Sequence, residues 1–146
     1  MTSLQEESIQ DKLFRLKAHG DFIEDIFKNR SDKEILSDLH IYYSLEHMLQ
    51  IAIQIILDIG THILAEEFHE NPQSYAEVIV SLGKHEIVSA KFANEQEEMA
   101  KFRNKLVHGY DTVEKDKVVA YGRIAPNIFH IFGQSYVAFI ERKKVK

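Results

Sequence analysis

The sequence contains no cysteine, which excludes disulfide bridges, thiolate metal sites and catalysis by a nucleophilic thiol. It has only 2 prolines and 6 glycines, which argues against a turn-rich β fold and against disorder. The N-terminus lacks the pattern of a signal sequence, and no apolar run approaches the roughly 18 residues of a membrane span. A formal charge of −5 disfavours a broad basic surface for nucleic acids. These absences predict a soluble cytoplasmic protein without a membrane partner.

The composition that remains is that of a helical globular protein, with 45% hydrophobic and 28% charged residues. The length fits one domain, residues 1–146, which is long enough to bury a core without disulfides or a structural metal. Apolar residues recur at helical spacings, which predicts an all-α, up-and-down helical bundle. The predicted helices run over 4–28, from Ser31 to a stop at Pro72, from Ser74 to near Gly83, from Ser89 to His108, and along a last segment with Pro126 in its first turn.

The second predicted helix is unusually apolar, because "MLQIAIQIIL" presents hydrophobic side chains on nearly every side. A single small domain offers such a helix few neighbours, so part of its surface is expected to face a second copy of the chain. Asp58 lies inside this run, where an unpaired carboxylate is costly. We expect its partner at a helix end, across the dimer or in a cleft.

The stretch "KFRNKLVHGYD", residues 101–111, brings three basic residues and a histidine together in a chain that is acidic overall. One interpretation is a helix that ends at Gly109, because cations favour the negative end of the helix dipole. The other is a phosphate-handling site in which Arg103 holds the anion and His108 moves protons, with Tyr110 beside them. Residues five apart on a regular helix are separated by about 140°, so the second interpretation requires a frayed helix end or two copies facing one groove.

A possible metal site is suggested by His62, Glu66 and His69, which have spacings that place them on one helical face. A solvated polar face explains the same pattern. No HExxH motif is present and no other helix visibly supplies a fourth ligand, so the sequence predicts no metal here.

The segment "RNKLVHGY" matches the signature R-x4-H-x-Y, and the chain therefore resembles the HEPN-domain toxins of the HepT type. The preceding "MAKF", the apolar "LQIAIQIILDIGTHI" and the later "DTVEKDKVVAYG" followed by a Phe-rich helix are similar to that family as well. The resemblance covers nearly the whole chain.

This resemblance implies the toxin of a type VII toxin–antitoxin system, a homodimeric endoribonuclease that needs no metal or other cofactor. The implied partner is a nucleotidyltransferase antitoxin of the MntA type, which attaches AMP to the signature tyrosine, here Tyr110. The implied catalytic residues are Arg103 and His108, with Asn104 in support. Lys101 and Lys105 either attract RNA phosphates or form a solvated basic turn.

Two other functions are compatible with the sequence. The chain is then either a non-catalytic helical subunit that binds a nucleotidyltransferase or its substrate, or a structural dimer whose basic turn is incidental. The intact Arg103, His108 and Tyr110 favour the ribonuclease over both.

Overall fold

The computed structural model describes residues 3–108 and 113–145. Within these ranges the chain forms helices and no strands, which confirms the all-α prediction. The helices are α1 (Ser3–Lys28), α2 (Asp32–Ser37), α3 (Leu39–Phe68), α4 (Tyr75–Lys84), α5 (Ala90–Glu95), α6 (Glu97–His108) and α7 (Lys115–Val145). Every helix contributes side chains to one connected hydrophobic core.

Helix α3 is the centre of the bundle and packs against α1, α4, α6 and α7. By length and composition α3 qualifies as a membrane span, with a mean hydropathy of 1.6 over its most apolar window, contrary to the expectation from the sequence. More than half of that window, 56%, is buried against the other helices. The bundle itself therefore accounts for much of the apolar character of α3.

The helix predicted from Ser31 onward is divided in two at Asp38. Ser31 forms the expected capping box with Glu34 and starts α2, but α2 ends after six residues. The carboxylate of Asp38 then accepts hydrogen bonds from the backbone N–H groups of His40 and Ile41, at 3.0 and 3.3 Å. Because Asp38 caps a new helix in this way, α3 begins as a separate helix after it.

The predicted helix from Ser89 to His108 is likewise divided, at Gln96. Ser89 caps α5 by accepting from the N–H of Phe92 at 3.0 Å, and Gln96 ends it with backbone bonds to Phe92 and Ala93. A separate twelve-residue helix, α6, therefore carries the basic stretch. Its first turn holds Glu97 and Glu98, and acidic side chains are favourable at a helix N-terminus.

Pro126 lies inside α7 and not in the first turn of a new helix, so that prediction is wrong. A proline within a helix lacks one backbone donor and costs about 3 kcal/mol. Buried side chains flank it in both directions, including Val119 before it and Phe129 and Phe132 after it. Their burial keeps both halves of α7 against the same core. Asp111 and Glu114 have the spacing of a helix N-cap, but Asp111 lies outside the described residues.

Two glycines provide a test of this packing. A Cβ atom on Gly83 would lie 2.6 Å from the Cβ of Ala93, whereas a Cβ on Gly20 would meet nothing within 4 Å. We expect Gly83→Ala to lower the free energy of unfolding by about 1–3 kcal/mol through overpacking between α4 and α5. Gly20→Ala should raise it by about 0.5–1 kcal/mol, because alanine is the better helix former. Urea unfolding followed by circular dichroism measures both, and equal shifts would contradict the packing.

Candidate active site

Arg103 is held on α6 by contacts with two other helices. Its Nε donates a hydrogen bond to Oε1 of Gln54 on α3, at 2.7 Å. The guanidinium carbon lies 5.2 Å from the ring centroid of Tyr75 on α4, within the range of a cation–π interaction. Nη1 donates to Oδ1 of Asn104 at 3.1 Å. Arg103 is half-buried, so these contacts fix its side chain at the surface of the bundle.

The amide of Gln54 is bonded at its other end as well. Its Nε2 donates to Oδ1 of Asp58 at 2.7 Å, and lies 3.3 Å from the hydroxyl oxygen of Tyr75. Asp58 is exposed, and its partner is one helical turn earlier on the same helix. Arg103, Gln54, Asp58 and Tyr75 thus form one polar network, which we call the arginine network.

Sequence reasoning did not single out Gln54 or Tyr75. The signal for Gln54 was present, because it is one of two glutamines that interrupt the apolar run "MLQIAIQIIL". A polar side chain amid so many apolar ones indicates a partner from elsewhere in the fold. Tyr75 had no comparable signal, since its role depends on the position of α4 beside α6.

His108 is the last residue of α6, and its side chain is exposed. On a regular helix it lies about 140° around the axis from Arg103. Among the described residues, Arg103 forms hydrogen bonds with Gln54 and Asn104 rather than with His108. Gly109 and Tyr110 lie outside the described residues, so the helix end at Gly109 and the position of Tyr110 beside Arg103 and His108 stay predictions.

Most of the other polar residues of α6 are exposed. Lys101, Asn104 and Lys105 are all exposed. Lys101 forms an ion pair with Glu98 in which Nζ and Oε1 are 3.3 Å apart, and both side chains are largely in solvent. Such a pair contributes little to stability and is easily exchanged for another anion. The stretch therefore presents accessible positive charge on an otherwise acidic chain.

The helical face suggested by His62, Glu66 and His69 is not continuous. His69 lies just beyond α3 in a left-handed conformation, with φ of 55°, which takes it out of the helical register. Glu66 is exposed, and Nε2 of His62 is buried without a hydrogen-bond partner. In the part of the chain that the structure describes, no three metal-binding side chains come together.

Comparison with known proteins identifies the family. The family model described as "Ribonuclease HepT-like" matches residues 16–123, a range that contains the arginine network and the whole stretch from Lys101 to Asp111. The chain belongs to the HepT-like ribonuclease family. The resemblance inferred from the signature R-x4-H-x-Y is thereby confirmed.

One curated relative and two solved structures are similar to this HepT-like chain. The tRNA nuclease HepT of Aphanizomenon flos-aquae is 28% identical over 118 residues, which are 81% of this chain and 80% of that protein. A tri-AMPylated HEPN toxin of Shewanella oneidensis, solved in complex with its MNT antitoxin, is 22% identical with a TM-score of 0.80, over 94% of this chain and 99% of that one. YutE, a cytosolic Bacillus subtilis protein of unknown function, is 16% identical with a TM-score of 0.79, over 94% and 92%. The two solved structures share the fold of this chain.

Proposed function

We propose that this HepT-like chain is the toxin of a type VII toxin–antitoxin system and cleaves RNA as a metal-independent endoribonuclease. The observation that carries the proposal is the guanidinium of Arg103, fixed at the surface by the neutral side chain of Gln54. The N–H groups of Arg103 that Gln54 and Asn104 do not use are suited to a phosphate. Family membership and the relative described as a tRNA nuclease support the assignment.

The proposed reaction uses a nucleophile that RNA itself contains. The 2′-oxygen attacks the adjacent phosphorus, the bond from phosphorus to the 5′-oxygen breaks, and the products are a 2′,3′-cyclic phosphate and a 5′-hydroxyl. The imidazole of His108 takes the proton from the 2′-hydroxyl or gives one to the 5′-oxygen. Arg103 stabilises the charge that develops on the non-bridging oxygens. Lys101 and Lys105 attract the neighbouring phosphates.

We further propose that the active form is a homodimer. Arg103 and His108 point in different directions from one helix, about 140° apart, so one copy of α6 does not place both on a single phosphate. Two copies that face each other supply an arginine and a histidine from each side of a shared cleft. The proposed contact surface for the second copy is the face of α3 that carries Gln54 and Asp58 of the arginine network together with the exposed His47.

The proposed controlling partner is a nucleotidyltransferase antitoxin that transfers AMP to Tyr110. The Shewanella toxin in its solved complex carries AMP groups and binds an MNT antitoxin. Tyr110 is two residues beyond His108, so an anion attached there lies close to the RNA path. Both proteins are expected to act in the cytoplasm.

The reaction can be tested with purified protein and single-stranded RNA in excess EDTA. We expect cleavage, with 2′,3′-cyclic phosphate ends identified by mass spectrometry, and no cleavage of the same RNA carrying 2′-O-methyl groups. Cleavage of the methylated RNA would contradict attack by the 2′-oxygen. Stable binding of a nucleotidyltransferase without any cleavage would favour the non-catalytic subunit instead.

A further inference from the structure

The side chain of Gln54 lies between Arg103 and Asp58, two groups with opposite hydrogen-bonding character. Arg103 has N–H donors and no acceptor, and the Asp58 carboxylate has acceptors and no donor. An amide carries both functions, so Oε1 of Gln54 faces Arg103 and Nε2 faces Asp58. This environment leaves one orientation of the amide that satisfies both neighbours.

The neutrality of Gln54 matters for a site that binds an anion. A carboxylate in its place would bond to Arg103 more strongly, but it would also neutralise the guanidinium and compete with a phosphate. The amide accepts the hydrogen bond from Nε of Arg103 and adds no charge. Tyr75 contributes in the same way, because its ring contacts the guanidinium at 5.2 Å and its hydroxyl oxygen lies 3.3 Å from Nε2 of Gln54.

We infer that Gln54 is a positioning residue for the reaction proposed above, on which this inference rests. It holds Arg103 through Nε and leaves the positive charge and the outer N–H groups of the guanidinium to the RNA phosphate. Gln54 acts through Arg103 and does not itself touch the reacting atoms. Asp58, one turn away, orients the amide of Gln54 and so contributes to the positioning of Arg103.

The first test compares cleavage by two variants. Gln54→Met keeps the length of the side chain and removes its acceptor, so Arg103 loses its anchor. We expect its kcat to fall about tenfold to a hundredfold, as for loss of other groups that orient a reactive side chain, with a smaller change in KM. The matched control is Gln50→Met, one turn earlier on α3. Among the described residues Gln50 makes no hydrogen bond to Arg103, and its replacement should change kcat by less than about twofold.

The second test separates position from charge through the salt dependence of binding, measured with a 2′-O-methylated RNA that is not cleaved. Gln54→Glu keeps an acceptor for Nε but neutralises Arg103, so the slope of log K against log salt should fall in magnitude by about 0.7, the value for one phosphate contact with a single strand. Gln54→Met should leave the slope unchanged. A merely structural role for Gln54 would not distinguish the two variants.

The anchoring of Arg103 can also be measured by NMR on the protein without RNA. Hydrogen exchange at Nε of Arg103 should be slow in the wild type and in Gln50→Met, and clearly faster in Gln54→Met. If Gln54→Met retains wild-type kcat while Arg103→Ala loses activity, the inference is overturned and the ribonuclease proposal stands. If the wild type cleaves no RNA, the ribonuclease proposal fails. If the exchange rates at Nε are equal in the wild type and in Gln54→Met, the anchoring of Arg103 by Gln54 is rejected as well.

Discussion

Replacing His108 or Arg103 by alanine is expected to lower RNA cleavage by about two to four orders of magnitude. In the proposed reaction the imidazole of His108 transfers the proton, and the guanidinium of Arg103 stabilises the charge that develops on the phosphate. His108 is exposed and Arg103 is half-buried at the surface of the bundle, so their removal should leave the helix content unchanged. Initial rates with a defined single-stranded RNA in EDTA measure the effect.

Matched controls for these variants come from other faces of the bundle. Arg15 on α1 and His130 on α7 are exposed residues of the same types. Arg15→Ala and His130→Ala should cleave RNA at the wild-type rate. Wild-type rates in His108→Ala and Arg103→Ala would reject the assignment of the site, and a loss of activity accompanied by unfolding would reject the expectation that the two substitutions are purely local.

Mixed dimers extend this prediction to the shared cleft. A heterodimer of one Arg103→Ala chain and one His108→Ala chain still contains an intact arginine and an intact histidine, contributed by different copies. If the copies share one cleft, the heterodimer should regain activity that neither parent has. Light scattering should show dimers at micromolar concentration, and a monomer that still cuts RNA would contradict the shared site.

Co-expression with a nucleotidyltransferase antitoxin is expected to silence the nuclease through Tyr110. Intact mass should increase by one or more AMP groups, the modification should map to Tyr110, and RNA cleavage should be lost. An AMP group on Tyr110 is expected to add negative charge to the basic stretch that contains Lys101, Arg103 and Lys105, and its bulk is expected to obstruct the path of the RNA. We therefore expect the blockade to be both electrostatic and steric.

The control for this modification is a second tyrosine at the surface. Tyr43 is 54% exposed on α3, so Tyr43→Phe should still be modified and silenced. Tyr110→Phe should remain an active nuclease that the transferase does not silence. Complete silencing of Tyr110→Phe would mean that the antitoxin acts through another residue.

Local sequence was sufficient for the helical class and for most helix boundaries. The capping box of Ser31 and Glu34 and the cap at Ser74 lie where the spacing of the residues indicated, because a cap involves groups only three residues apart. The predictions failed where two local signals competed. Asp38 starts a new helix inside a continuous apolar pattern, and Pro126 stays within α7 because the packing on both sides exceeds the cost of one missing bond.

The sequence alone also determined the candidate chemistry, since the signature from Arg103 to Tyr110 is contiguous. What only the tertiary structure decided is how Arg103 is held. Gln54 is 49 positions away, and Tyr75 belongs to a third helix. No periodicity connects residues so distant in the chain, because their contact depends on how α3, α4 and α6 pack around a common core. Arg103 is therefore anchored by contacts that exist only once α3, α4 and α6 have packed together.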